Sequence, residues 1–284
     1  MAYDAAINAV EHGFRNKERP GLDARREPIF NLPPMVTLLI AVFVLIHAIR
    51  LYFFDIEQDV EFLATFSFIP ARFGIAGALE HYPGGMPAAL VSTVSYALIH
   101  ADWTHLIVNS IWLAAFGSAV ERRFGARRFL AFSAVCAIAA AGAHYAFYSE
   151  MLVPVVGASG VISGHMAAAM RFVFQSGGPL RGLRRNDPAG FKRPALPLAR
   201  MFADRRAVVF MLVFFAINLL VAATGGPLVE EGVQVAWQAH IGGFIAGIFL
   251  FPFFDPIGTE PDGPPAGDGM PGTSEPPEGP GAGF

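Results

Sequence analysis

Ser159 stands in the run Gly157-Ala158-Ser159-Gly160 at the head of an apolar stretch, and a later apolar stretch carries Ala239-His240-Ile241-Gly242-Gly243. A serine hydroxyl is a weak nucleophile until a base takes its proton, and an imidazole within hydrogen-bond reach does so at neutral pH. The chemistry open to such a pair is attack on a carbonyl carbon. Set in membrane-grade sequence, it points to peptide hydrolysis within a bilayer.

A third stretch adds His100, His105 and Asn109 in the pattern His-x4-His-x3-Asn. On a helix, His105 and Asn109 lie about 40° apart and can face one object, whereas His100 lies about 140° from His105 and should face another. Ionisable and amide side chains are costly in hydrocarbon and need a partner or a water-filled cavity. Two plainer readings compete. Polar residues in spans often only hydrogen-bond neighbouring helices, and His with Asn can ligate a metal. No Asp, Glu or Cys joins the set at comparable depth and the two histidines do not share a face, so neither a metal nor a cofactor is expected.

The elements that must position these residues are membrane spans. Of 284 residues 54% are hydrophobic and 15% charged, and the mean hydropathy is +0.47. Such a composition does not describe a soluble globule. Six spans are expected, near Met35 to Phe53, Val91 to Phe116, Phe129 to Tyr148, Gly157 to Phe174, Ala207 to Ala223 and Val235 to Phe254. Each is close to the roughly 20 residues that cross the hydrocarbon, the fourth being the shortest. The expected fold class is an all-α membrane protein. Between the first two spans, Phe54 to Leu90 mixes Phe62, Phe66, Phe68 and Phe73 with Asp59, Glu61, Pro70 and Arg72, which suits the membrane interface better than a crossing.

Of the 20 basic residues, 18 fall in three groups. Arg15, Lys17, Arg19, Arg25 and Arg26 precede the first span; Arg122, Arg123, Arg127 and Arg128 flank the loop after the second; the rest run from Arg171 to Arg206. Arg50 and Arg72 are the other two. The positive-inside rule then puts both termini in the cytoplasm and the loops after spans one, three and five outside. Basic clusters beside spans argue against nucleic-acid binding. Residues 1–34 are charged and lack the apolar core and cleavage site of a signal peptide, so they read as a cytoplasmic segment. The tail 256–284, with eight Pro, eight Gly, five acids and no base, is expected to be disordered. The one cysteine, Cys136, sits in the third span and leaves no intrachain disulfide or CxxC site.

On these spans Ser159, His240, His105 and Asn109 reach a similar level towards the outside. Gly160 and Gly164 follow the serine, and Gly243 and Gly247 follow His240; small-xxx-small faces let two helix backbones approach. Ser159 also begins a helix, where N–H groups lack intrahelical acceptors. With His105 and Asn109 these could donate to the oxygen that becomes negative when a peptide carbonyl is attacked. No carboxylate is placed to orient His240, and Asp102 is too near the surface, so the expected arrangement is a Ser-His dyad rather than a triad.

These motifs, in content and in order, resemble the rhomboid family of intramembrane serine proteases. His100-x4-His105-x3-Asn109 is similar to the family's second-span motif, Gly157-Ala158-Ser159-Gly160 to its Gly-x-Ser-Gly nucleophile motif, and Ala239-His240-x2-Gly243-x3-Gly247 to its sixth-span base motif. Gly117-Ser118-Ala119-Val120-Glu121 resembles it too. The resemblance implies a six-transmembrane-helix rhomboid-like bundle of the simple bacterial type over residues 35–255. It also implies Ser159 as nucleophile, His240 as base, and His105 and Asn109 on the oxyanion. Membrane-protein substrates within the lipid bilayer of a bacterial inner membrane follow from it as well. Many members carry a Trp-Arg pair shortly before span two; here the stretch reads Leu90-Val91-Ser92, which leaves that loop's conformation open. Rival functions are a catalytically inactive relative that binds membrane clients, and a transporter, since polar residues in spans also mark substrate paths.

Overall fold

A computed structural model describes residues 32–175, 177–179, 188–224 and 235–258. Apart from a few residues at their inner edges, the N-terminal segment 1–34 and the tail 256–284 lie outside the described residues. The described chain is all-α and contains no strand; its one β-bridge is the isolated antiparallel pair Phe68 and Val155. Among the described residues, four helical stretches are long and apolar enough to cross a membrane: Pro34–Tyr52, Trp103–Phe124, Ala126–Phe147 and Trp237–Phe254.

The first described helix, α1 (Pro34–Tyr52), opens on Pro34 after the N-cap Pro33 and has no side-chain cap of its own. Its orphan N–H groups are met from a distance. Met35 N and Val36 N donate to the two oxygens of the buried Glu121 carboxylate, at 3.0 and 2.8 Å. A carboxylate at a helix N-terminus satisfies donors and complements the positive end of the dipole. At its other end Arg50 makes a two-pronged ion pair with Asp59, at 2.7 and 3.1 Å, and donates to the His100 carbonyl at 2.9 Å. Asp59 lies on α2 (Ile56–Phe66), whose N-terminus carries a capping box between Asp55 and Gln58.

The segment expected as interfacial folds as short pieces: α2, α3 (Ala71–Gly74) and α4 (Gly85–Ser95), the last running into a 3-10 turn at Tyr96–Leu98. The second long helix therefore does not run from Val91 to Phe116. It begins at α5 (Trp103–Trp112), passes through a π turn at Leu113–Gly117, and ends as α6 (Ser118–Phe124). Asp102 sets the start: its side chain accepts from His105 N at 2.8 Å, an N-cap that fixes the helix boundary. Gly125, at φ 76°, closes it. His100 thus precedes the helix, and the 140° separation from His105 does not apply.

Next comes α7 (Ala126–Phe147), and after a connecting stretch α8 (Ser159–Met170). α8 has 12 residues, about 18 Å, against about 30 Å of hydrocarbon. Every residue from Gly160 to Met170 is buried. The chain leading to Ser159 is non-helical but not loose, since Phe68 and Val155 exchange backbone hydrogen bonds at 3.1 and 2.8 Å. Irregular backbone at membrane depth is tolerated where protein covers it or a cavity opens beside it. A short helix, α9 (Leu198–Ala203), precedes α10 (Arg205–Thr224), whose start is capped by Asp204. The last described helix is α11 (Trp237–Phe254).

α7, α8 and α11 pack against one another, and glycine decides how closely. A methyl group at Gly243 would overlap the Gly160 carbonyl oxygen, and one at Gly247 the Gly164 carbonyl oxygen, so the α8 and α11 backbones are in direct contact. At the end of the bundle where α1 begins, Arg123 grips Asp255 through two hydrogen bonds of 2.9 and 2.8 Å. It also donates to the carbonyls of Phe191 and Arg193 and lies over the Phe172 ring at 4.8 Å. This clasp joins the end of α6 to the end of α11. Ser159, Arg50 and His100 lie at the opposite end.

Candidate active site

Ser159 is the first residue of α8, and His240 lies one turn inside α11. The close backbone contact of those helices brings the side chains together: His240 Nε2 is 2.7 Å from Ser159 Oγ. Both residues are partly exposed. The serine's backbone is tied into α8, its carbonyl accepting from Ser163 Oγ at 2.8 Å.

Gly157 shapes the space beside the serine. Its φ is +114°, a conformation that L side chains rarely adopt, and its N–H donates to the Tyr96 carbonyl at 3.0 Å. A methyl there would lie 2.6 Å from His105 Cε1 and Nε2 and 3.8 Å from Asn109 Nδ2. The absent side chain therefore leaves the His105 ring and the Asn109 amide facing the backbone two residues before Ser159. Asn109 Nδ2 also donates to the His105 carbonyl at 3.0 Å. An amide nitrogen carries two protons, so a second N–H remains for the gap at Gly157.

His100 does not turn away from His105, as the helical spacing suggested. Its ring is fully buried, 5.1 Å from the His105 ring in an edge-on arrangement and 4.8 Å from Phe43. Arg50 holds its carbonyl. His100 thus backs His105 rather than facing the site.

To the candidate pair Ser159 and His240 the structure adds a third side chain. His240 Nδ1 lies 2.6 Å from Asn218 Oδ1, on α10. The same rule that singled out Asn109 would have found it: Asn218 is an amide in the apolar run Phe214-Phe215-Ala216-Ile217-Asn218-Leu219-Leu220. His165, on α8, is another buried polar group that the sequence reading passed over; it is 2.9 Å from Ser133 Oγ and stacks on Phe129, away from the serine.

Fold and site together define a helical membrane protein in which a serine at the head of a short buried helix meets an imidazole from the last helix. The sequence matches the family model for the Rhomboid domain over residues 87–254, more than half of the chain. The chain belongs to the rhomboid family, whose members are typically intramembrane serine proteases acting on membrane-protein substrates. A comparison with curated proteins finds no match.

Proposed function

We propose that this protein is an active intramembrane serine endopeptidase that hydrolyses peptide bonds in or near the transmembrane segments of membrane proteins. The observation that carries the reading is the 2.7 Å contact between Ser159 Oγ and His240 Nε2. As Oγ attacks the scissile carbonyl carbon, its proton passes to Nε2. The carbonyl oxygen becomes negative and is met by the Asn109 amide, the His105 ring and N–H groups at the head of α8. The C–N bond then breaks, the leaving amine takes the proton from His240, and water releases the acyl group by the same steps in reverse order. Cleavage of a reconstituted single-span substrate by native protein beside Ser159→Ala tests it. Equal cleavage by the two removes the serine from the reaction and leaves a client-binding relative.

Asn109→Ala and His105→Ala are expected to lower kcat by about 100- to 1000-fold each with little change in KM, because hydrogen bonds to a developing charge strengthen only as it forms. Variants that turn over normally at saturation but bind substrate poorly would remove both residues from the oxyanion role.

The protease unit spans residues 35–255 and crosses the membrane six times, through α1, the α5–α6 helix, α7, α8, α10 and α11, with both termini in the cytoplasm. A bacterial inner membrane is the setting the simple six-span form suits. The sequence positions of 18 of the 20 basic residues, before the first span and around the connections after the second and fourth, support this orientation. Cysteine reporters at the exposed positions Glu80 and Ala126 test it in intact cells. A membrane-impermeant thiol reagent is expected to label Glu80→Cys and spare Ala126→Cys, and the reverse result inverts the topology.

A further inference from the structure

Two neighbouring contacts set how α10 meets α11. The Phe214 ring stacks on Phe244 at 4.8 Å, and one turn further along each helix Asn218 Oδ1 meets His240 Nδ1 at 2.6 Å. Residue 214 pairs with 244 and 218 with 240, the register of an antiparallel pair of helices. The ring stack therefore delivers the Asn218 amide to the side of the imidazole that faces away from Ser159.

The amide's orientation is settled by its other end. Asn218 Nδ2 donates to the Phe214 carbonyl at 2.8 Å. A carbonyl can only accept, so the nitrogen must occupy that side and the oxygen must face His240. Oδ1 can only accept in turn. At 2.6 Å a lone pair on Nδ1 would repel it, so Nδ1 carries the proton and the Nε2 lone pair points at the Ser159 hydroxyl. Asn218 is 93% shielded, at 7% exposure, so water does not readily take its place.

We infer that Asn218 is a positioning residue, which holds His240 in the tautomer that makes Nε2 a base and partners the imidazolium formed when the serine gives up its proton. The inference rests on the Ser159–His240 reading for its catalytic consequence, but the tautomer it assigns does not. The hydrogen bond from Nδ1 strengthens when the ring becomes charged, so Asn218 acts most where the barrier lies. An amide does this without placing a carboxylate in the membrane. Other charged or titratable groups on the surrounding helices are His105 on α5, His144 and Tyr145 on α7, His165 on α8, and Arg205 and Arg206 at the start of α10. The two arginines are about 20 Å along the helix from Asn218.

The experiment uses full-length protein in detergent micelles with two readouts. The first is the rate of covalent labelling of Ser159 by a fluorophosphonate as a function of pH. The second is the ring-nitrogen NMR spectrum of histidine-labelled protein, with His240 assigned by loss of its signals in His240→Gln. Native His240 is expected as the Nδ1–H tautomer. Asn218→Leu, which removes the acceptor and keeps the bulk, should slow labelling about 10- to 100-fold. It should move the acid limb to lower pH by about one unit, because the imidazolium loses its partner. The NMR signal should shift towards a mixture of tautomers. Asn218→Asp, which keeps an acceptor, should restore most of the rate. Native His240 in the Nε2–H form overturns the inference, even if the Leu variant fails to fold. So does an acid limb that stays in place while both variants lose rate and melting temperature together, since that is a packing effect. Native protein that shows the Nδ1–H tautomer yet never labels at Ser159 would instead overturn the protease reading and leave the tautomer assignment standing.

Discussion

His240→Ala is expected to abolish cleavage of a reconstituted single-span substrate, Ser159→Ala to do the same, and the double variant to be no worse than either. In the proposed mechanism the serine hydroxyl gains nucleophilicity through the 2.7 Å contact with Nε2, so removing either partner removes the same step. Residues that act as a unit are strongly non-additive; in other serine proteases each loss alone costs about 10⁶-fold in kcat, nearly as much as losing the whole set. The measurement is initial rate against substrate concentration for the four proteins in one lipid composition, with melting temperature as the check on folding. The imidazole fills a site beside a helix contact, so His240→Ala should soften the melt slightly while Ser159→Ala leaves it alone. Multiplying losses in the double variant would mean that serine and histidine serve different steps, and the proposed proton transfer between them would be wrong.

The candidate site residues stand out in the sequence because charge and polarity in a membrane are rare. Ser159, His240, His105 and Asn109 each interrupt apolar sequence, and the structure brings His240 to Ser159 and leaves His105 and Asn109 facing the backbone at Gly157. α1, α7 and α11 begin and end within a few residues of where hydropathy alone put them, since long apolar runs have little else to do. The second span was misplaced because hydropathy does not see a cap. Val91 to Leu98 is as apolar as a crossing, but Asp102 starts the helix afresh at Trp103, and His100 falls in the bend between. α8 came out shorter than expected because its end is set by tertiary contacts, the Arg171 carbonyl pairing with Leu196 N rather than continuing the helix. Asn218 is hard to single out in the sequence because no neighbouring side chain in span five offers it a partner. Its partner becomes plain only when the Phe214–Phe244 stack fixes the register of the two helices.

The second large effect concerns a residue with no chemistry of its own. Gly243→Ala adds one methyl group, and that methyl is directed at the Gly160 carbonyl oxygen, a backbone atom that no rotamer change can move aside. The helices must part instead. Gly160 adjoins Ser159 and Gly243 follows His240 by one turn, so separation of α8 from α11 at this level lengthens the nucleophile–base contact itself. A misplacement of about 1 Å at reacting groups costs on the order of 100-fold in rate, and overpacking a tight interface typically costs about 1–3 kcal/mol of stability. Gly243→Ala is therefore expected to lose at least about 100-fold in kcat, with a clear fall in melting temperature. Gly142→Ala is the control, because a methyl at that position in α7 meets nothing within 4 Å. It should leave kcat unchanged and raise stability slightly, by roughly 0.4–1 kcal/mol, since alanine is the better helix former. The informative measurement is kcat at a temperature where both variants remain fully folded. A Gly243→Ala protein that is destabilised yet cleaves at the native rate would show that the site tolerates parted helices. The serine and histidine would then have to be held together by the Asn218 side of the imidazole and by the loop at Gly157, rather than by the backbone contact between α8 and α11.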